Sequence, residues 1–552
     1  MKKTDVYQPK HLKDDCLTGD EQRNLVSEQP SIARSTALMA VATMTSRATG
    51  LVRTAAMAFA LGNALVTSSY QVANNLPTII FELVAGGLLA AAFVPLYIKQ
   101  MQEKGKEAGD KFASNLLNIV VIVLGGLSVL ATIFAPQLIA TQTFTLGDGA
   151  AVNYYAIIFF RIFAIQMLFY GLGGIFTSIL NANRVFFITA LAPLFNNLLV
   201  IASLFAYWLI EPGNPELAII VLAVGTTLGV AAQFAIQIPA ILRLGFKYTP
   251  RIDVRDPVFL ETIKTGIPML IYVIGTMVSF TFRNAFALST GDDGPSTLIY
   301  AWTWFQLPHG ILAASLSRAL FTEMSSSFAQ GNLLDFKRLL KNGLSGTLFI
   351  VIPLAGLMFA LAAPLMQMFH SGAFTSDDVA YVGVTLQMWV FALPFYSLQQ
   401  FFFSVYSSIR RFTLFSIICT ALCVLQCALY VVLTQDGLFG LSGIPVADIV
   451  YYALATTVLL FVLQRIMGQI GTTAVIGSAL RVLLATVVGS LFAAAAYIFL
   501  PIGDGMLAGF VATVLYGSLA LLLIFALCRL MRVPELALVE DVWAKLRRRF
   551  SR

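Results

Sequence analysis

Residues 112–138 read FASNLLNIVVIVLGGLSVLATIFAPQL and contain no charged side chain. A run of this length is enough for a helix to cross the roughly 30 Å hydrocarbon core of a bilayer. Comparable runs recur from about residue 36 to residue 531, and the 552-residue chain is 58% hydrophobic and only 11% charged. The sequence therefore predicts an all-α polytopic membrane protein. It leaves no room for a soluble catalytic domain, so we expect a transporter and not an enzyme.

Fourteen transmembrane helices are predicted from these runs. Their approximate ranges are 36–62, 66–98, 112–138, 151–182, 185–210, 216–243, 258–290, 294–326, 340–370, 379–408, 412–434, 440–465, 476–500 and 507–531. The connecting loops alternate between two kinds, and only one kind carries Lys or Arg. Because cytoplasmic loops are enriched in these residues, the alternation predicts an even number of spans with both termini in the cytoplasm. The basic loops contain Lys99, Lys104, Lys106, Lys111, Arg184, Arg243, Lys247, Arg251, Arg255, Lys337, Arg338, Lys341, Arg410, Arg411 and Arg465.

The order of the spans predicts two lobes of six helices followed by two further helices. The stretch that begins at Phe93 resembles the stretch that begins at Leu320, as expected for two lobes of like topology. Near the C-terminus, apolar residues spaced 3, 4, 3 and 4 apart lie beside Arg547, Arg548 and Arg549, which predicts a helix on the inner membrane surface, with a solvated tail as the alternative. The predicted divisions are a disordered cytoplasmic tail (1–34), an N-terminal lobe (36–243), a cytoplasmic linker (244–257), a C-terminal lobe (258–465), spans 13 and 14 (476–531) and a basic amphipathic helix (533–552).

The remaining composition excludes several classes of protein. The chain has 35 Lys and Arg against 28 Asp and Glu, but the basic residues are scattered through loops and do not form a nucleic-acid-binding face. Cys419, Cys423 and Cys427 form one helical stripe without a nearby His or carboxylate, so we interpret them as packing residues and expect no metal site. No phosphate-binding loop is present, and we expect no cofactor. The energy for transport would come from the membrane potential or an ion gradient, with the ion unassigned.

Charged residues deep inside the predicted spans mark the candidate site. An ionisable side chain at the bilayer centre costs about 2.5–3.5 kcal/mol, so each one must face a wet cavity, the bundle interior or a partner. Four arginines stand against one glutamate, and guanidinium groups bind phosphate oxygens in bidentate fashion, so the pattern favours an anionic, pyrophosphate-bearing ligand. By depth, Glu82 matches Arg53, and a purely structural ion pair between them is the alternative. The deep residues are Arg47, Arg53, Glu82, Arg161 and Arg283.

Helix-breaking residues flank these charges. Gly50 lies between Arg47 and Arg53, and Pro77 with Gly86 and Gly87 surrounds Glu82. We expect both helices to bend where the charges lie, as in transporters with interrupted spans. Ordinary kinks in a static bundle are the alternative.

Several short motifs resemble those of the MurJ/MviN lipid II flippases, a family of the multidrug/oligosaccharidyl-lipid/polysaccharide exporter superfamily. Each motif lies within a predicted span, and the resemblance extends from about residue 36 to residue 530. The Glu82 pattern is similar to that of the actinobacterial branch. The motifs are Thr45-Ser46-Arg47 with Gly50 and Arg53; Asn75-Leu76-Pro77 with Glu82, Gly86, Gly87 and Phe93-Val94-Pro95; Leu180 to Arg184 with Leu191 to Asn197; and Tyr300-Ala301 with Leu307 to Gly310.

The resemblance implies a V-shaped fourteen-helix flippase in the bacterial cytoplasmic membrane. Such a protein moves undecaprenyl-diphosphate-linked peptidoglycan precursor, lipid II, from the inner to the outer leaflet for cell-wall synthesis. It implies that Ser46, Arg47 and Arg53 line a central cavity, and it adds Asn75 to the candidate site. Trp302 and Thr303 stand where many members have Asp and Arg, so Arg283 is a candidate to replace the charge missing at Thr303. Membrane lipids and other cell-wall synthesis or division proteins are candidate partners.

Two other functions stay open at the level of sequence. The first is a flippase for a different polyprenyl-diphosphate-linked glycan, which would use the same cationic cavity. The second is a cation-coupled drug exporter of the same superfamily, although organic cations favour a cavity lined by carboxylates. The sequence itself assigns neither the glycan nor the oligomeric state.

Overall fold

Helices make up most of the protein throughout the residues that the computed structural model describes, which are 32–86, 93–147, 150–435 and 437–537. The predicted N-terminal tail up to residue 31 and the predicted C-terminal surface helix beyond residue 537 lie outside these ranges. In the N-terminal half the helices are α1 (Ile32–Leu61), α2 (Leu65–Phe81), α3 (Val94–Lys104), α4 (Lys106–Ile133), α5 (Ala135–Ala140), α6 (Ala151–Phe163), α7 (Gln166–Ala182), α8 (Phe186–Ile210), α9 (Pro215–Ala235) and α10 (Ile238–Arg243).

The C-terminal half continues the same pattern of long apolar helices joined by short loops. Short π-helices, Glu82–Gly86 and His309–Ala313, extend α2 and join α12 to α13. The helices of this half are α11 (Pro257–Leu288), α12 (Gly294–Pro308), α13 (Ala314–Ala329), α14 (Leu333–Ala360), α15 (Ala362–Gln367), α16 (Ser376–Trp389), α17 (Leu393–Ser408), α18 (Phe412–Leu433), α19 (Gly443–Met467), α20 (Thr472–Phe499) and α21 (Met506–Leu530).

The predicted membrane class is confirmed by the length and apolarity of these helices. Within the described residues, ten helices can cross a bilayer, or eleven if α6 and α7, bent by 43° at their junction, form one span. The predicted spans 36–62, 66–98 and 294–326 are not among them. These three contain charged residues or Pro-associated breaks. The count of fourteen therefore stays a prediction.

The helix breaks differ from the prediction in one respect. Span 2 is interrupted as expected, because its α-helix passes into a π-helix at Glu82. The expected interruption at Gly50 is wrong, because α1 continues through Gly50 as a single helix; a bend there stays a prediction. A Cβ at Gly50 would lie 3.7 Å from Asn197 Nδ2 on α8, an ordinary van der Waals contact.

The two halves of the chain meet at the end of the molecule opposite the basic loops. The Ala373 amide donates to the Phe59 carbonyl at 2.9 Å, and the Tyr300 hydroxyl donates to the Gly62 carbonyl at 2.8 Å. Asn63 Nδ2 donates to Thr297 Oγ1 at 2.9 Å. We call this set of contacts the outer gate. It is closed, because side chains of both halves form one continuous buried apolar cluster there.

At the basic face the halves have separate cores. The buried members of one cluster, including Phe93 and Phe112, all come from the N-terminal half, and those of another, including Met324 and Phe336, all come from the C-terminal half. The buried core shared by the two halves therefore lies at the outer gate, whereas the buried cores at the basic face are separate.

The linker between the halves is fastened to the N-terminal half. Asn115 Nδ2 donates to the Asp253 carbonyl at 2.9 Å, and the Asp253 amide donates to Asn115 Oδ1 at 2.6 Å. Arg251 Nη2 donates to Asp253 Oδ2 at 2.7 Å, and this bond lowers the pKa of the Asp253 carboxyl. The linker therefore fixes where α11 begins.

Single cysteines test which side of the membrane each loop faces. A cysteine at Asp292 is expected to react with an impermeant maleimide outside intact cells, whereas cysteines at Lys104 and Arg410 should react only after permeabilisation. All three positions are exposed, so a failure to react reports the membrane barrier and not burial. Protection at Asp292 together with labelling at Lys104 in intact cells would reverse the proposed orientation.

Candidate functional site

Arg47 lies at the interface between the halves, on the side of the outer gate that faces the basic loops. It is exposed, and its Nη1 lies 3.3 Å from the position that a Cβ on Gly310 would occupy. Gly310 belongs to the π-helix His309–Ala313, a kind of distortion that is frequent at functional sites. Fifteen residues separate Arg47 from Gly62, so it lies about 22 Å from the gate along α1.

Arg53 lies closer to the gate, about 13 Å along α1 from Gly62. The Arg53 side chain is half-buried. It lies close enough to the hydroxyl groups of Tyr70 and Tyr170 to interact with them electrostatically. Glu82 is also half-buried, at the start of the first π-helix. No ion pair within 4.0 Å joins Arg53 to Glu82 in the described residues. The sequence predicts Arg53 and Glu82 at a similar depth in the membrane, but the two side chains do not form an ion pair.

Ser46 precedes Arg47 on α1, and Asn75 lies on the next helix along the chain, α2. Both side chains are half-buried, Ser46 on α1 and Asn75 on α2. The Ser46 carbonyl accepts from Asn197 Nδ2 at 3.2 Å, and the same amide donates to Thr49 Oγ1 at 3.1 Å. Asn197 thus fixes the rotation of α1 in the turn that carries Arg47. The sequence motif Leu191 to Asn197 identifies Asn197, but the contact between Asn197 and α1 is visible only in the structure.

Arg161 is not brought together with Arg47 and Arg53. It is exposed on α6, on the same side as Tyr154 and Ile165. The opposite side of α6 carries Phe159 and Phe163, which pack edge-on against Tyr70 with ring centroids 5.5 and 5.6 Å away. The helix α2 therefore stands between Arg161 and Arg53.

Arg283 lies in the C-terminal half as part of a buried network. Its Nη1 lies 3.8 Å from Oδ2 of Asp448, with the Arg283 side chain 14% exposed and that of Asp448 fully buried. The guanidinium lies over the Phe280 and Trp302 rings, at 4.7 and 5.3 Å from their centroids. Asp448 also accepts hydrogen bonds from Trp389 Nε1 at 2.8 Å, from Gln426 Nε2 at 2.7 Å and from the Tyr430 hydroxyl.

A cavity of about 160 Å³ adjoins this network. Arg283, Trp302 and Tyr396 are among its lining residues. Tyr396 also packs edge-on against His309, with ring centroids 4.9 Å apart, and lies within the electrostatic reach of both Arg283 and Arg47. The Tyr396 ring therefore lies between the Arg283 network and the part of the interface that contains Arg47.

Positively charged side chains outnumber negatively charged ones at the interface between the halves. Arg47 and Arg53 have no carboxylate within 4.0 Å among the residues described. Arg318 on α13 is a third cation here, because it and Arg47 both lie close enough to His309 for their charges to affect that ring. Asp448 pairs with Arg283, whereas within the described residues no carboxylate lies within 4.0 Å of Arg318. The space between the halves is thus cationic and suits an anion.

Gly310 offers a test of how Arg47 is positioned. Gly310→Ala would place a methyl group 3.3 Å from Arg47 Nη1, and the flexible guanidinium would have to move. We expect roughly tenfold lower transport, equivalent to weakening one contact by about 1.4 kcal/mol, at an unchanged protein level. Gly477→Ala is the matched control, because a Cβ there meets nothing within 4 Å. Equal activity of the two variants would remove Gly310 from the site.

Arg283→Ala is expected to lower the amount of folded protein. It leaves the Asp448 carboxylate buried without its cation, a defect that costs about 3–5 kcal/mol. The double variant Arg283→Ala with Asp448→Asn should restore the protein level, as measured by immunoblot of membranes. If transport returns with it, the pair is structural; if transport stays absent, Arg283 also acts on the substrate.

Comparisons of the sequence with known proteins point to one family. A family model described as lipid II flippase MurJ matches residues 57–516. A protein of Borreliella burgdorferi named probable lipid II flippase MurJ is 25% identical over 443 residues, which cover 78% of this chain and 83% of the relative. The lipid II flippase MurJ of Thermosipho africanus is 28% identical over 386 residues, covering 69% and 74% of the two chains.

Solved structures show the same fold. A lipid II flippase MurJ in an inward closed conformation superposes with a TM-score of 0.71 at 23% identity, covering 88% of this chain and 97% of its own. An inward-facing multidrug-resistance transporter of the MATE family, in the MOP superfamily, gives a TM-score of 0.64 at 13% identity and covers 79% and 99%. At these identities the likeness concerns the fold alone.

Proposed function

This chain belongs to the MurJ family of lipid II flippases, and we propose that it carries lipid II from the inner to the outer leaflet by alternating access. The observation that carries the proposal is the position of Arg47 between two halves that are closed at the outer gate. Within the described residues, neither Arg47 nor Arg53 on the same helix has a carboxylate within 4.0 Å. Lipid II bears a diphosphate, which is the ligand that such guanidinium groups favour.

The proposed architecture is the fourteen-helix arrangement of two six-helix lobes and two further helices. Both termini lie in the cytoplasm in this arrangement, and the cavity opens toward the cytoplasmic leaflet where lipid II is made. The substrate diphosphate would bind first near Arg47, on the open side, and Arg53 would contact it closer to the gate. Rocking of the lobes would then open the gate and release the head group outside.

Energy for this cycle is proposed to come from the membrane potential or an ion gradient. A membrane potential of 100 mV does work of about 2.3 kcal/mol on each charge moved across the bilayer. The diphosphate carries negative charge outward, in the direction that an inside-negative potential favours. Cell-wall synthesis or division proteins are proposed partners at the outer leaflet, where the product is consumed.

Depletion of the protein tests the proposed substrate. We expect cells that lose it to accumulate lipid II and to stop peptidoglycan synthesis, and expression of this chain should rescue a bacterium depleted of its own MurJ. Thin-layer separation of radiolabelled polyprenyl lipids identifies the intermediate. Accumulation of another polyprenyl-diphosphate-linked glycan would reassign the substrate, and normal lipid profiles would favour a drug exporter.

A further inference from the structure

A second concave surface lies at the basic face, between the end of α19 and the beginning of α20. It encloses about 630 Å³ and is lined by the loop that joins these helices, including Gly468 and Gly471. Both glycines have positive φ, 77° and 82°, so the loop turns sharply with little side-chain bulk. We call this surface the basic hollow. It is formed by the C-terminal half alone and is separate from the interface that holds Arg47.

Three cations surround the basic hollow. Lys337 Nζ lies 3.7 Å from the position of a Cβ on Gly468, and the Lys341 side chain lies 3.5 Å from that of a Cβ on Gly471. Arg465 lines the hollow and lies over the Phe461 ring, 5.0 Å from its centroid. Lys337 and Lys341, both on α14, are half-buried.

These cations lack counter-charges. Within the described residues, none of the three lies within 4.0 Å of a carboxylate. The neighbouring Arg338 shows the contrast, since it pairs with Asp335 at 2.5 Å. Like charges that are held together and partly removed from water repel one another unless an anion joins them.

The start of α20 adds to the positive potential. Its first turn has no acidic residue and no capping side chain. The Ala474 and Val475 amides donate to the Gly471 carbonyl, which leaves the Thr472 and Thr473 amides without an acceptor within the described residues. A carboxylate does reach this helix, but at Ser478, where Glu535 accepts a hydrogen bond. That position is six residues beyond Thr472, or about 9 Å along the axis.

We infer that the basic hollow binds a phosphate group, either from an anionic phospholipid of the adjoining leaflet or from a free phosphate. The lysines supply ammonium donors, and Arg465 supplies a planar guanidinium fork. The surroundings favour the lipid as the source, because Phe461, Ile476 and Leu480 are each 54% exposed beside the hollow and suit contact with acyl chains. The inference is independent of the flipping substrate.

The test compares two double variants of the full-length protein, each of which loses two positive charges. Lys337→Gln with Lys341→Gln alters the basic hollow, and Arg410→Gln with Arg411→Gln removes two exposed charges from another basic loop. Binding of phosphatidylglycerol and phosphatidylcholine is measured by native mass spectrometry from a neutral detergent. Thermal unfolding without added lipid confirms that both variants are folded.

We expect wild type and the arginine control to bind phosphatidylglycerol alike, and the lysine variant to bind it about tenfold more weakly or less. Phosphatidylcholine should bind all three equally. A parallel arm measures protection against unfolding by millimolar inorganic phosphate. Loss of that protection in the lysine variant, with lipid binding unchanged, would assign the site to free phosphate. Equal behaviour of the two variants in both arms would overturn the inference.

Discussion

Replacement of Arg47 with alanine is expected to abolish lipid II flipping while the protein stays at its normal level in the membrane. Arg47 makes no ion pair in the described structure, so its removal leaves no buried charge behind. A hydrogen bond to a charged group contributes about 1.5–3 kcal/mol, and loss of a two-pronged contact should reduce transport about 100-fold or more. Complementation of MurJ-depleted cells, with immunoblotting of membranes, measures both quantities.

Two further variants sharpen that experiment. Arg47→Lys keeps the charge but loses the planar fork, so poor complementation is expected if the diphosphate is bound in bidentate fashion. Arg161→Ala removes an arginine that lies behind α2, and we expect it to have much the smaller effect. Full growth with Arg47→Ala would refute the cationic-cavity mechanism and bring the drug-exporter alternative back into consideration.

A disulfide across the outer gate is expected to stop transport almost completely. The Ser296 amide donates to Ser68 Oγ at 3.3 Å, and both residues are fully buried at the contact between α2 and α12. Cysteines at these two positions replace small side chains with side chains of similar size. Oxidation would hold the gate shut, and alternating access requires that it open.

Reduction provides the control for the gate experiment. Activity should return on addition of a reductant, and each single-cysteine variant should be active under both conditions. The native cysteines of the described residues, Cys419, Cys423, Cys427 and Cys528, are buried and free, which limits competing disulfides. Undiminished transport by the oxidised double variant would contradict alternating access through this gate.

The class of the protein and the cationic character of its site could be predicted from the sequence for simple physical reasons. Apolar runs of membrane length are almost never needed in a soluble chain, and deep arginines are too costly to occur without a function. The three predicted spans that fail the apolarity test are those that contribute Arg47, Glu82 and Gly310. Their polarity weakens the membrane signal because they face the space between the halves.

Contacts between distant residues could not be predicted in the same way. The sequence predicts that Arg53 and Glu82 lie at a similar depth along α1 and α2. Contact also depends on the direction in which each side chain points, and the sequence does not give that direction. The sequence predicts Arg283 as a substrate-binding residue, and its contact with Asp448, 165 positions later in the chain, is visible only in the structure. Gly310 carries no chemistry of its own, so its closeness to Arg47 is visible only in three dimensions.

The central claim is that lipid II reaches the outer leaflet through this protein and past Arg47. The most direct measurement is the fraction of lipid II that an impermeant hydrolase can cleave in intact MurJ-depleted cells that express either wild type or Arg47→Ala. We predict that wild type restores the cleavable fraction and that Arg47→Ala leaves lipid II protected at equal protein level. A cleavable fraction that is the same with wild type, with Arg47→Ala and with no added protein would contradict the claim.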